Sequence, residues 1–270
     1  MIIPSLNKND LKAVRKLCLI LFAYQVHPVY KLVVAANRDE FYQRPTAPAQ
    51  YWEDNPDILA GRDLEKMGTW MGVTTNGRFS ALTNYRDPSE FSTTKRSRGE
   101  LVADALQYKG NIQTYMRMLA AKKELYPGYN LLAGDIDHLY YYSNKSDTLQ
   151  RLMPGIYGVS NHLLDTEWPK VQKGKEGLSA IIEGKTSDMV EELFMLLQNS
   201  DPAPDQLLPN TGVSLDMERM LSPLFIKSND YGTRSSTVIR MTDDKILFHE
   251  RIFTNNVAKK QSYTIQIKNH

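Results

Sequence analysis

CLILFAYQVHPVYKLVVAANRDEFY, residues 18–42, decides the fold of this chain. Residues 18–24 are a short apolar run rich in Leu, Ile, Phe and Tyr, residues 30–36 are a second, and His27-Pro28 between them is a turn signal. The two runs are expected to pair as an antiparallel β-hairpin. Pairing across that turn brings Cys18 beside the end of the second run, where Asn37, Arg38, Asp39 and Glu40 follow. The thiol would then face a guanidinium and two carboxylates, and a cation close to a thiol favours the thiolate. On spacing alone, a lone Cys opening an apolar strand is more often a small buried hydrophobe, and Asn-Arg-Asp-Glu is more often a polar turn.

Outward from the hairpin, residues 42–68 hold Pro45, Pro48 and Pro56 with few periodic positions, and are expected to form a long irregular surface excursion. Asn76-Gly77, set between two apolar runs, predicts a second hairpin over residues 69–85 that delivers Asn84 and Tyr85 to a strand end. Helical spacing follows over 99–107 and 111–122, the latter with Asn111 at the N-cap. A third hairpin is expected around residues 134–137, and a strand over 156–160 running into Asn161. The pattern then turns helical from Asp165 as N-cap and again over 187–198, the segment 201–210 is a loop, and strands over 221–227, 234–241 and 245–253 close the chain. Strands and helices come in blocks rather than in strict alternation, which fits antiparallel sheets with helices on their outer faces.

Composition narrows the function. The chain has 270 residues, 41% hydrophobic and 24% charged, enough for one large core. With 33 basic against 31 acidic residues, no global field favours nucleic acid or an anionic membrane, and Lys95, Arg96 and Arg98 read as a solvated loop. A single cysteine excludes an internal disulfide framework, and no apolar run is long enough to span a bilayer. The histidines at 27, 138, 162, 249 and 270 show no paired metal-binding spacing, so no metal and no cofactor is expected. The cytoplasm is the default compartment. Residues 1–17 lack the apolar core of a secretory signal and are expected to be an extension; residues 18–270 are expected to be one domain.

Several motifs together resemble one family. Cys18-Leu19-Ile20, Ala36 through Tyr42 with Arg44-Pro45 behind it, Gly68-Thr69-Trp70-Met71-Gly72, Ala81 through Tyr85, Gly158-Val159-Ser160-Asn161, Asp165 through Val171, and Tyr231 through Ser236 are similar to motifs of the NRDE family. Those motifs run in family order from Cys18 onward. The family includes transport-and-Golgi-organisation proteins and is similar in turn to N-terminal nucleophile hydrolases of the penicillin acylase and bile-salt hydrolase branch. The resemblance implies a four-layer α/β/β/α sandwich of two mostly antiparallel sheets. It implies a cysteine at the mature N-terminus that attacks a linear amide, with site roles passing to Cys18, Arg38, Asp39, Asn84, Asn161 and Arg234. Glu40 competes with Asp39 for the acidic role. Phe41, Trp70 and Tyr85 are candidates for a substrate wall, although aromatics near a hairpin are more often core. The ligand implied is a small amide or acyl compound.

An α-amine of pKa about 7.7–8.0 can take the proton of its own thiol of about 8.5, whereas an amide nitrogen cannot. Cys18 therefore has to become a first residue for this chemistry. Initiation at Leu17 through a UUG codon, a cut between Leu17 and Cys18, and a chain that never exposes the amine are the three alternatives, of which the first is preferred because the resemblance begins at Cys18. The competing function is a carrier that keeps the fold and pocket without turnover, motivated by eukaryotic relatives associated with lipid or haem handling.

Overall fold

A computed structural model describes residues 18–90, 94–184, 188–254 and 257–268; the extension expected over 1–17 lies outside the described residues. The first hairpin forms as expected: β1 (Cys18–Tyr24) pairs antiparallel with β2 (Leu32–Phe41), with Cys18 opposite Arg38 and Tyr24 opposite Leu32. β2 continues through the Asn-Arg-Asp-Glu motif instead of ending before it, and this corrects the reading of that motif as a polar turn. Within a strand, neighbouring side chains take opposite faces. Arg38 and Glu40 therefore share the face of Cys18, while Asn37 and Asp39 lie on the other.

Residues 42–68 depart further from expectation. They form a hairpin of β3 (Thr46–Trp52) and β4 (Asn55–Asp63) rather than an irregular excursion. β3 is the edge of its sheet, where a proline costs no ladder hydrogen bond, and its register shifts between Ala47 and Gln50, around Pro48. β5 (Met71–Thr74) and β6 (Phe79–Asn84) form the Asn-Gly hairpin, with Gly77 at φ +88° in its turn. β7 (Tyr129–Gly134), β8 (Leu139–Ser143) and β9 (Thr148–Arg151) complete this sheet in the order β3-β4-β5-β6-β7-β8-β9.

β10 (Gly155–Val159), β11 (Tyr231–Met241), β12 (Lys245–Thr254) and β13 (Val257–Gln266) join the first hairpin in a second sheet of order β10-β1-β2-β11-β12-β13. The alternation along β1 builds two layers of core. Ile20, Phe22 and Tyr24 meet Met71, Phe79 and Leu132 between the sheets. Leu19, Leu21 and Ala23 instead meet α3 (Pro169–Glu183) and α4 (Met189–Leu197) through Val171, Leu178 and Phe194. On the far side, α1 (Gly99–Gln107) and α2 (Ile112–Ala120, capped by the Asn111 side chain on Gln113 N and Thr114 N) cover the other sheet. The fold is the four-layer α/β/β/α sandwich.

Two further expectations are corrected. Asp165 is not a helix cap: it sits at φ +57°, accepts from the Gly158 N–H and pairs with Lys175, and α3 begins only at Pro169. The apolar run 221–227 is not a strand. It follows α5 (Leu215–Leu221) as an irregular buried segment, its Leu224 carbonyl accepting from the Asn37 side chain at 2.7 Å. Asn37 also donates to the carbonyl of Leu197 at the end of α4, so this motif residue ties the helix layer to the sheet.

The start of α1 is held against β5 by glycines. A Cβ on Gly68 would lie 2.5 Å from the Gly99 carbonyl carbon, and Thr69 N–H donates to Gly99 O across this contact. G68A is expected to destabilise the protein by about 1–3 kcal/mol, read as a lower urea midpoint, because backbone cannot yield there.

Candidate functional site

Cys18 opens β1 and faces the end of the sandwich between the sheets, where a cavity of about 1020 Å³ is also lined by Arg38, Glu40, Trp70, Asn84 and Arg234. The Cys18 carbonyl accepts from Ser160 Oγ at 3.0 Å, which fixes the strand start against the end of β10. The thiol is only 5% exposed. Burial pushes it up to about 12 and the Asp39 carboxylate adds to the rise, while the Arg38 guanidinium and the Asp39 backbone N–H pull the other way. The cation-stabilised thiolate expected from the sequence is thus corrected: loss of water outweighs Arg38, which is itself engaged by Glu40 at 3.5 Å.

Arg234 owes its position to an irregularity. Thr233 pairs with Asp39 and Ser235 with Arg38, so Arg234 is the extra residue of a bulge opposite the motif. Its guanidinium donates to the carbonyls of Phe41, Tyr42 and Arg44 and to Thr46 Oγ1. It holds the connection from β2 to β3 against the cavity. Asn161 is fully buried, donates from Nδ2 to the Asn84 carbonyl at 2.9 Å and accepts from Ser160 Oγ. Cys18, Asn84, Ser160 and Asn161 are thereby linked across the two sheets.

The structure brings Cys18, Arg38, Asn84, Arg234, Phe41 and Trp70 to this cavity, has Asp39 border it with the carboxylate turned to the other face of β2 against Thr233, and leaves Asn161 behind its wall. Phe41 also packs edge-on against Tyr231. Tyr85 does not line the cavity; its ring packs at a tilt against His162 with Lys145 above it. Among the described residues no group of three or more His, Cys, Asp or Glu side chains could hold a metal ion, and no helix is long and apolar enough to cross a membrane.

Behind β2, on the helix side, lies a buried polar cluster that no spacing in the sequence announces. Asp39, 1% exposed, accepts from Thr233 Oγ1 at 2.7 Å through Oδ1, while its Oδ2 has no hydrogen-bond partner among the described residues. Lys170, 3% exposed, has none for Nζ. Burial raises the Asp39 carboxyl well above the usual carboxylate range, opposed chiefly by Lys170, and burial with Arg86 lowers the Lys170 ammonium. Arg86 pairs with Glu218 at 2.8 Å, both side chains almost fully buried, and lies 4.8 Å over the Trp168 ring. The only advance signal is that Trp168-Pro169-Lys170 falls within one of the family-like motifs.

Comparison with known proteins bears on both fold and family. The family model described as Transport and Golgi organisation 2 matches residues 17–255. The Transport and Golgi organization protein 2 homolog of Bos taurus is 36% identical over 260 residues, covering 87% of this chain and 92% of that protein. The human homolog is 35% identical over 257 residues with the same coverage. Among solved structures, a mutant of the conjugated bile acid hydrolase from Clostridium perfringens superposes with a TM-score of 0.51 at 9% identity, over 93% of this chain and 92% of that one. That likeness is one of fold.

Proposed function

The chain belongs to the Transport and Golgi organisation 2 family, and from this premise and the site we propose that it is a cysteine N-terminal nucleophile hydrolase cleaving a linear amide. The observation that carries the reading is the position of Cys18: first residue of β1, thiol in the cavity, Arg38 directly across the strand pair and Asn84 on the facing sheet. The fold shared with a bile acid hydrolase supports the reaction class by analogy alone.

In the form beginning at Cys18, the free α-amine accepts the thiol proton and the sulfur attacks the amide carbonyl. Arg38 steadies the thiolate. The oxyanion of the tetrahedral intermediate is held by the Asn84 side-chain amide, which Asn161 positions by gripping the Asn84 carbonyl. The C–N bond then breaks, the leaving amine takes the proton from the α-ammonium, and a thioester remains. Water attacks the thioester with the α-amine as base, releasing the acid and restoring the thiol. Phe41, Trp70, Leu82 and Ile252 give the cavity apolar ground beside basic Arg38, Arg62 and Lys259, which suits an amide with one apolar and one polar or anionic end.

N84A is expected to lower kcat by about 10²–10³-fold with little change in KM, since its amide acts only once the oxyanion forms. Kinetics on an amide turned over by the form beginning at Cys18 checks this; an unchanged kcat removes Asn84 from the mechanism. A second reading, binding without turnover, is favoured by the thiol that burial holds protonated while Cys18 carries a peptide bond. Thermal stabilisation by fatty acyl compounds, equal in wild type and C18A and accompanied by no amine release, is its expected signature.

A further inference from the structure

We propose that Lys170 is a positioning residue for Cys18: its ammonium opposes protonation of Asp39, and Asp39 in turn holds the freed α-amine of Cys18 toward its own thiol. This rests on the reading of Cys18 as an N-terminal nucleophile and adds a residue that reading does not contain. The support begins with an energetic anomaly. Lys170 is buried in the first turn of α3, directly after Pro169, where the helix N-terminus is unfavourable to a cation. Arg86 repels it as well, and its Nζ has no hydrogen-bond partner among the described residues. Burying a cation this way is costly, and an apolar side chain would fill the same place without that cost.

What favours the ammonium is Asp39, then the Cys18 sulfur and Glu218. Glu218 is already committed to Arg86 and Thr211. Asp39 is the acid left for Lys170, and its unbonded Oδ2 is the matching anomaly on the partner. Asp39 stands beside Arg38, the residue across from Cys18, and its other neighbours are Thr233 and Glu40. Two orphaned, oppositely charged groups thus lie within electrostatic reach of the atom pair whose proton must move.

The pairing has a chemical rationale. A lone carboxylate beside the α-amine would raise its pKa and keep it protonated, unable to act as base. The Asp39–Lys170 pair carries no net charge, so the amine stays near its ordinary 7.7–8.0 while Oδ2 still accepts one of its N–H groups. With the ammonium in place burial still lifts Asp39 to about 7; without it Asp39 loses the main influence holding its pKa down and keeps its proton well above neutrality.

The test uses two measurements. In the full chain carrying ¹³C-labelled aspartate, the Asp39 carboxyl titration should move upward by about one pH unit or more in K170M and return in K170R. In the form beginning at Cys18, the pH of half-maximal alkylation by iodoacetamide should move upward by a similar interval in K170M and be restored by K170R. A lysine that merely fills space would lower stability and leave both midpoints in place. An unmoved Asp39 titration in K170M overturns the inference, whatever Cys18 does. A moved titration with an unmoved alkylation profile overturns the positioning role. If freeing Cys18 brings no gain in its reactivity, the nucleophile reading itself has failed, and the Asp39 titration distinguishes that result from failure of the pair. Should K170M not fold, K170Q supplies the same two readouts.

Discussion

A form of the protein that begins at Cys18 is expected to be alkylated at neutral pH on the order of a hundredfold faster than the full chain, the lower end of what an intramolecular base contributes. In the full chain the Cys18 nitrogen is an amide, and burial holds the thiol near 12, so almost none of it is thiolate. Freeing the nitrogen supplies a base within the same residue as the sulfur, with a pKa within about a unit of an ordinary thiol. The same form should release amine from a member of an acyl-amide library, and C18A should abolish both effects. Equal alkylation of the two forms, with no amine released, would favour the carrier.

Removing the acid of the buried Arg86–Glu218 pair should produce the largest loss of stability. E218A leaves the Arg86 guanidinium buried against Trp168 without its partner, and strips Thr211 N–H and Oγ1–H of their acceptor. The expected cost is about 3–5 kcal/mol, read as a fall in the urea midpoint at unchanged slope. Replacing both residues by leucine should cost less than E218A alone, because no uncompensated charge is then left behind. A loss under 1 kcal/mol in E218A would mean that water reaches Arg86, contrary to the burial described for it.

These two results concern opposite faces of one strand, and the strand explains what the sequence could and could not disclose. The hairpin register was legible because two apolar runs flank one short turn, and Cys18 does fall opposite Arg38. The Asn76-Gly77 hairpin and the helix opened by Asn111 were legible for the same reason, since local backbone chemistry dictates them. Edge strands were not. β3 carries Pro48 and little apolar alternation, and β13 sets Lys259 and Lys260 toward solvent, because an edge needs only one neighbour and is protected by charge. The run 221–227 looked like a strand because burial, not pairing, requires its apolar residues, with Asn37 satisfying the Leu224 carbonyl from 187 residues away.

The site divides along the same line. Arg38 and Asp39 are adjacent in sequence yet face opposite sides of the sheet, so the motif supplies one residue to the cavity side and one to the cluster behind it. That separation depends on β2 extending through the motif, which composition alone does not decide. The bulge that frees Arg234, and the convergence of Lys170, Arg86 and Glu218 from three distant segments, arise only when β11, α3 and α5 pack around this strand end.

The central claim is that Cys18 acts with its own amine. Mass spectrometry of the N-terminal peptide, on protein purified from the host that naturally makes it, tests this most directly. The account predicts a peptide whose first residue is Cys18 with an unmodified α-amine. Protein found only with an intact bond between Leu17 and Cys18 would contradict it.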